Sequence, residues 1–161
     1  MGEILFIEAN NDIKQLVQSY FQQTSIKVTI VSTADQARSA IADHYYDLLV
    51  LDIEDGPAGE QNIDFVKELR TDGIWVPACF YTTRTRAEVL ERLHGYNCLD
   101  FIPKDVSPDE MVEKVKDMLF LTSEKGQQEL AEVATIVTQI DKQFQSLVTQ
   151  MTSCYTPHIN S

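Results

Sequence analysis

The fold class this sequence predicts is α/β: a five-stranded parallel sheet of order 2-1-3-4-5 with helices on both faces, followed by a C-terminal helix. Three observations predict it. Strand-like and helix-like stretches alternate five times before residue 121, the pattern of βαβ units. The run Leu48-Leu49-Val50-Leu51 is apolar at successive positions, so both its faces are buried, as happens in a parallel sheet layered by helices. Right-handed crossovers then leave few topologies, of which 2-1-3-4-5 is the common five-stranded one.

Each element has its own local reason. Ile4 to Ile7 is a compact apolar strand ending in Glu8, and Asn10-Asn11-Asp12 caps a helix with Ile13, Leu16, Val17, Tyr20 and Phe21 on its inner face. Ile26 to Val31 is β-branched with Lys27 and Thr29 alternating, which suits a sheet edge. Ser32 to Asp35 approximates a capping box for a helix that turns Ala34, Ala37, Ala40 and Ile41 inward. Asp47 to Asp52 is the third strand. The turn-rich stretch from Ile53 to Asn62 follows as a loop, and Ile63, Val66 and Leu69 open a helix broken near Asp72-Gly73. Ile74 to Tyr81 is the fourth strand, with Pro77 early in it, where the missing ladder donor does no harm. A helix around Ala87, Leu90 and Leu93 comes next, then a very short strand, Phe101-Ile102, leading to Pro103-Lys104-Asp105. Ser107-Pro108-Asp109-Glu110 is a strong helix start, and Met111, Val115, Met118 and Leu119 form that helix's apolar face.

The α/β domain is expected over residues 1–121, and residues 122–161 form a helical extension and tail. Leu130, Val133, Val137, Ile140, Phe144, Leu147 and Met151 recur at alternating spacings of three and four, an a/d seam across residues 130–151. Three heptads alone are marginal in water, so the stripe needs a partner. Packing back on the domain competes with a coiled coil between subunits, and homodimerisation is the expectation. Tyr155 to Ser161 reads as a frayed tail.

Composition narrows the function. A net charge of -12 and a pI near 4.5 argue against nucleic acid and anionic membranes as partners. No stretch is apolar enough to span a bilayer, and the N-terminus has neither signal-peptide nor myristoylation character. Cys79, Cys98 and Cys154 are widely spaced and odd in number, which suggests neither a disulfide framework nor a metal site. A cytoplasmic protein is expected.

In such a sheet, chemistry gathers at the C-terminal ends of the strands. Glu8, Asp52, Thr82 and Lys104 stand at the ends of the first, third, fourth and fifth strands. Two adjacent carboxylates favour a hard cation such as Mg²⁺, and an aspartate can attack phosphorus to form an aspartyl phosphate. A hydroxyl and an ammonium beside it would bind and neutralise the phosphoryl oxygens.

The stretches Ile4-Leu5-Phe6-Ile7-Glu8, Asp47-Leu48-Leu49-Val50-Leu51-Asp52, Val76-Pro77-Ala78-Cys79-Phe80-Tyr81-Thr82-Thr83 and Asp100-Phe101-Ile102-Pro103-Lys104 resemble the receiver domain of two-component response regulators. The resemblance covers residues 3 to 121 and implies a flavodoxin-like receiver fold. It implies that Asp52 is the phosphoacceptor, taking a phosphoryl group from a histidine kinase or phosphotransfer protein. Glu8 then belongs to the acidic pair that holds Mg²⁺, Thr82 and Lys104 bind the phosphoryl group, and Phe101 is the switch aromatic that rotates as Thr82 moves. The chain departs from the family's pattern at Ala9, where a second acidic residue is usual. This lowers the expected Mg²⁺ affinity; Asn10 offers only a neutral oxygen, and Glu54 is a candidate replacement alongside Glu8 and Asp52. Asp105 replaces the usual Pro after the lysine, so no cis peptide is expected there, and the loop after Asp52 reads as unusually long and acidic.

Two rival readings remain. One is a phosphorylation-independent, receiver-like interaction and dimerisation module. The other is an enzyme, a phosphatase of the haloacid dehalogenase class, but its nucleophile follows the first strand, where this chain has Glu8-Ala9-Asn10. A flavin protein of the same architecture would need a phosphate loop that the first turn lacks. A non-enzymatic signalling receiver in a phosphorelay is therefore expected; nothing in residues 122–161 resembles a DNA-binding or catalytic domain, so if this is the entire protein its output passes through contacts with a downstream protein target.

Overall fold

The computed structural model describes residues 2–54 and 56–154, except for the side chains of Arg86, Leu90 and Cys154. The chain divides into two compact units, Met1–Thr122 and Ser123–Ser161.

The first unit holds the five strands β1 (Glu3–Ile7), β2 (Lys27–Val31), β3 (Leu48–Asp52), β4 (Ala78–Thr82) and β5 (Cys98–Pro103). They pair in parallel in the order 2-1-3-4-5, as the alternation predicts. The helices are α1 (Asn11–Phe21), α2 (Ala34–Asp43), α3 (Pro57–Thr71), α4 (Arg86–Leu93) and α5 (Pro108–Thr122). Strand alternation divides the core into two layers. Ile4, Phe6, Leu48, Val50, Cys79, Tyr81 and Ile102 face Val17, Phe21, Val115 and Met118 of α1 and α5. Leu5, Ile7, Leu49, Leu51, Ala78 and Phe80 face Ala37, Ile63, Val66, Leu69 and Val89 of α2, α3 and α4. β1 and β3 are therefore wrapped on both sides, whereas β2 lies at the edge with Lys27 and Thr29 exposed.

Several local expectations are corrected. α3 starts at Pro57, six positions ahead of Ile63, so the connection after Asp52 is the short segment 53–56 rather than a long loop. The Gly-Pro pair that reads as a turn is a helix start: Pro57 occupies the first helical turn, and Gly56 supplies the φ of 113° that precedes it. The cap of α2 is Thr33, one residue after Ser32, with its hydroxyl accepting from Gln36 N; Gln36 Oε1 in turn accepts from Ser32 N. β4 begins after Pro77, whose carbonyl accepts from Leu49 N, and β5 extends over Cys98–Pro103 rather than Phe101-Ile102 alone. Leu16 is exposed, and α4 buries the expected Leu93 together with Val89, while Ala87 is exposed; Leu90 lies outside the described side chains. The caps at Asn10 and Ser107 form as expected: Asn10 Oδ1 accepts from Asp12 N and Ile13 N, and Ser107 Oγ accepts from Glu110 N. Among the described residues all peptide bonds are trans.

The second unit contains α6 (Glu124–Cys154), opened by Ser123, whose hydroxyl accepts from Gly126 N. Its a/d residues are exposed, from Leu130 at 45% to Ile140 and Phe144 at 59%, and Ile136 and Val148 widen the stripe. Residues 155–161, the expected tail, lie outside the described residues. Among the described residues, no helix is long and apolar enough to cross a membrane.

Candidate functional site

The parallel register brings four of the expected residues to one edge of the sheet. Ile7 pairs with Leu51, Asp52 with Tyr81 and Thr82 with Pro103, so Glu8, Asp52, Thr82 and Lys104 follow one another across the C-terminal ends of β1, β3, β4 and β5. Two backbone bonds continue the sheet past its last paired residues: Glu8 N to Val31 O at 2.9 Å, and Lys104 N to Thr82 O at 3.1 Å.

Lys104 is the hub. Its Nζ lies 2.9 Å from Asp52 Oδ1 and 3.4 Å from Glu54 Oε1, and 5.3 Å from the centre of the Tyr81 ring. Burial works against its charge, but the hydrogen bond with Asp52 and the fields of Asp52, Glu54 and Glu8 raise its pKa above the ordinary lysine value. Asp52 is held by its backbone, with Asn62 Nδ2 donating to Asp52 O at 2.6 Å. Its carboxylate accepts from Glu54 N at 3.3 Å and keeps a fifth of its side chain exposed, enough for approach from solvent.

Glu8 is nearly buried, with Oε1 accepting from Asn10 N at 3.0 Å and Oε2 without a hydrogen-bond partner among the described residues. Burial raises its pKa above the usual carboxylate value, the Asn10 amide offsets part of that, and the Asp52 charge adds to it. Thr82 is fully buried, and its Oγ1 accepts from Arg84 N at 2.9 Å, leaving its own proton to donate. Phe101 pairs with Phe80 across the strands and packs, half-buried, into the layer of α3 and α4. Two residues beyond Phe80, Thr82 lies on the same face of the sheet, so Phe101 and Thr82 share one side.

Glu54 does not join Glu8. Its Oε1 accepts from Thr83 N at 2.7 Å and its Oε2 from Thr83 Oγ1 at 2.6 Å. Burial opposes ionisation of Glu54, and these two bonds together with the Lys104 ammonium outweigh it, so its pKa falls below the ordinary value. Asn10, considered as a neutral metal ligand, spends its side-chain oxygen on capping α1. Among the described residues, no three histidine, cysteine or acidic side chains are gathered as a ready metal-binding group. The unpartnered buried oxygen of Glu8, next to the Asp52 carboxylate, nevertheless fits a hard cation that completes its shell with water.

Sequence reasoning missed a second group of residues. Glu60 of α3 accepts two bonds from Arg92 of α4, at 2.6 and 2.5 Å, and lies 3.5 Å from Arg84, whose Nη2 also donates to Glu54 O at 3.2 Å. The Arg92 hydrogen bonds hold the Glu60 carboxyl at a pKa of about 2. α4 itself begins at a capping box of Thr85 and Glu88. That Thr-x-x-Glu signal was legible, whereas nothing in the residue order announces that Asn62, Thr83 and Arg84 converge.

A family model described as the response regulator receiver domain matches residues 4–116. Response regulator SaeR of Staphylococcus aureus is 28% identical over 120 residues, 74% of this chain and 51% of that protein. The chain thus spans about half the length of the curated relatives it matches. Among solved structures, the Francisella response regulator 1452 receiver domain aligns with a TM-score of 0.66 at 22% identity, covering 76% of this chain and all of that one. The chemotaxis response regulator CheY4 of Vibrio cholerae aligns at 0.64 and 18% identity, covering 73% and 98%.

Proposed function

The chain belongs to the response regulator receiver domain family of two-component systems, and we propose that it acts as a phosphorelay receiver, with Asp52 accepting a phosphoryl group from a histidine kinase or phosphotransfer protein. One observation carries this reading: Lys104 Nζ stands 2.9 Å from Asp52 Oδ1 at the end of β3, with the buried Thr82 hydroxyl on the next strand. A carboxylate oxygen of Asp52 bonds to phosphorus as the bond from phosphorus to the donor atom breaks. The donor, a histidine nitrogen or the carboxylate of a small acyl phosphate, leaves with the electron pair. Lys104 neutralises charge on the transferred group, and Thr82 donates its hydroxyl proton to a phosphoryl oxygen. Glu8 and Asp52 would hold Mg²⁺, which supplies charge neutralisation for the phosphoryl oxygens; Ala9 weakens that binding.

The signal passes to a downstream protein target as a shift in the population of the Thr82–Phe101 arrangement, without catalytic turnover of a separate substrate. The a/d stripe of α6 serves homodimerisation. From Val133 to Cys154 its only charges are the adjacent Asp141 and Lys142, so two copies of a chain of net charge -12 can meet there without strong repulsion. The same net charge disfavours nucleic acid and anionic membrane as partners, and we place the protein in the cytoplasm.

Intact mass after incubation with acetyl phosphate tests the phosphoacceptor. A single Mg²⁺-dependent adduct is expected on the wild type and none on Asp52→Asn. No adduct on the wild type, in a buffer where a control receiver is labelled, would establish the phosphorylation-independent module instead.

A further inference from the structure

We infer that Glu54 is a resident anion of the site: its carboxylate occupies donors that a phosphoryl group on Asp52 would use, and phosphoryl capture requires Glu54 to leave Thr83. The inference rests on the phosphoacceptor reading of Asp52 and adds a restraint on its reaction.

The base of Glu54 is fixed. Its N–H donates to Asp52 Oδ1 at 3.3 Å, and its carbonyl accepts from Arg84 Nη2 at 3.2 Å. Gly59 of α3 passes so close that a Cβ there would come within 1.8 Å of the Glu54 carbonyl oxygen. The segment after β3 is thus clamped between α3 and the β4–α4 connection, and the side chain has a short reach. Within it the carboxylate collects three donors: Thr83 N at 2.7 Å, Thr83 Oγ1 at 2.6 Å and Lys104 Nζ at 3.4 Å. The Thr83 amide follows directly after the buried Thr82 at the end of β4, and Lys104 is already bonded to Asp52. These are the cationic and amide groups available to an anion that grows from Asp52 towards β4 and β5.

Conversion of the Asp52 carboxylate to an acyl phosphate takes its charge from one negative to roughly two, beside a lysine that already serves both Asp52 and Glu54. Mg²⁺ held by Glu8 and Asp52 would offset part of this charge, but the Thr83 amide and the Lys104 ammonium cannot serve both Glu54 and the phosphoryl oxygens, and like charges in a partly buried site repel. Glu54 therefore gives up Lys104 and Thr83 when the phosphoryl group arrives. Its departure frees the 83–85 segment that leads into the Thr85 cap of α4, which couples the modification to that helix.

The opposite role, Glu54 as a metal ligand replacing what Ala9 lacks, predicts effects of opposite sign. Initial rates of Asp52-dependent adduct formation from acetyl phosphate are compared for wild type, Glu54→Ala and Thr83→Val across a Mg²⁺ titration. Thermal unfolding and circular dichroism verify that each variant is folded. Glu54→Ala is expected to react faster by about tenfold or more, the scale of one charge-assisted hydrogen bond no longer competing, with its half-saturating Mg²⁺ unchanged. Thr83→Val, which removes one of the three donors, moves in the same direction by less. A variant slower than wild type, or one needing more Mg²⁺, overturns it and makes Glu54 a ligand; equal rates overturn it as well. An absence of adduct on every protein, beside a labelled control receiver, instead sinks the phosphoacceptor reading of Asp52 on which the restraint depends.

Discussion

Glu8 shows how far the site departs from what stability alone would choose. Its carboxylate is 2% exposed, has one amide partner and sits beside the charge of Asp52. Because burial raises its folded-state pKa above the unfolded value, the folded protein holds the proton more tightly than the unfolded chain. Stability is then fully present below the ordinary glutamate pKa and is lost as pH rises through the raised one. Glu8→Gln, whose amide keeps the shape and can donate to Asp52, is expected to raise the unfolding temperature at pH 7 to 8 in the absence of divalent cations. The gain should shrink towards zero below the ordinary carboxylate range, where Glu8 is itself neutral. A gain independent of pH would place the effect in packing rather than charge. Retaining an ionisable group at such a cost is typical of functional pockets, and Lys104, which faces Asp52 and Glu54 together, is its counterweight.

At the scale of elements, two helices carry what the sheet cannot. α4 is tied to α3 by Arg92 and Glu60, a largely solvent-facing pair that adds little stability, and to the site by Arg84, whose side chain is only 14% exposed. Their contribution is directional: they set where α4 lies relative to the segment after Asp52. α6 has the reverse character. Its exposed a/d residues give an isolated helix nothing to bury, so its order depends on a partner stripe. If that partner is a second copy, Ile140→Asp at the centre of the seam should leave a monomer in sedimentation analysis while the wild type sediments as a dimer. A dimer that survives the substitution would move the interface away from α6.

For the whole first unit, the central strands dominate the energetics. Leu49 and Leu51 of β3 are fully buried in the layer under α3, and Leu48 and Val50 are fully buried on the other. Leu49→Ala should cost about 3 kcal/mol of stability in urea unfolding, by loss of transferred apolar area and by a cavity that α3 and Phe80 only partly close. A loss below about 1 kcal/mol would mean that the layer relaxes into the gap. The acidic surface makes a smaller contribution to the fold, and its consequence lies in the choice of partners.

The order of residues by itself determined the α/β class, the strand order and the placing of Glu8, Asp52, Thr82 and Lys104 at one sheet edge, because parallel strands of period two and right-handed crossovers leave almost no freedom there. It also determined the caps at Asn10 and Ser107, which depend only on neighbours within a few residues. Only the tertiary structure decided the start of α3, where Gly56-Pro57 and the close approach at Gly59 turn an apparent loop into a helix. It alone decided that Glu54 reaches Thr83 and Lys104 rather than Glu8, and that Asn62 holds Asp52 from ten residues away. Those choices depend on where a short connection comes to rest between two helices, a matter of packing at a distance that no local spacing encodes.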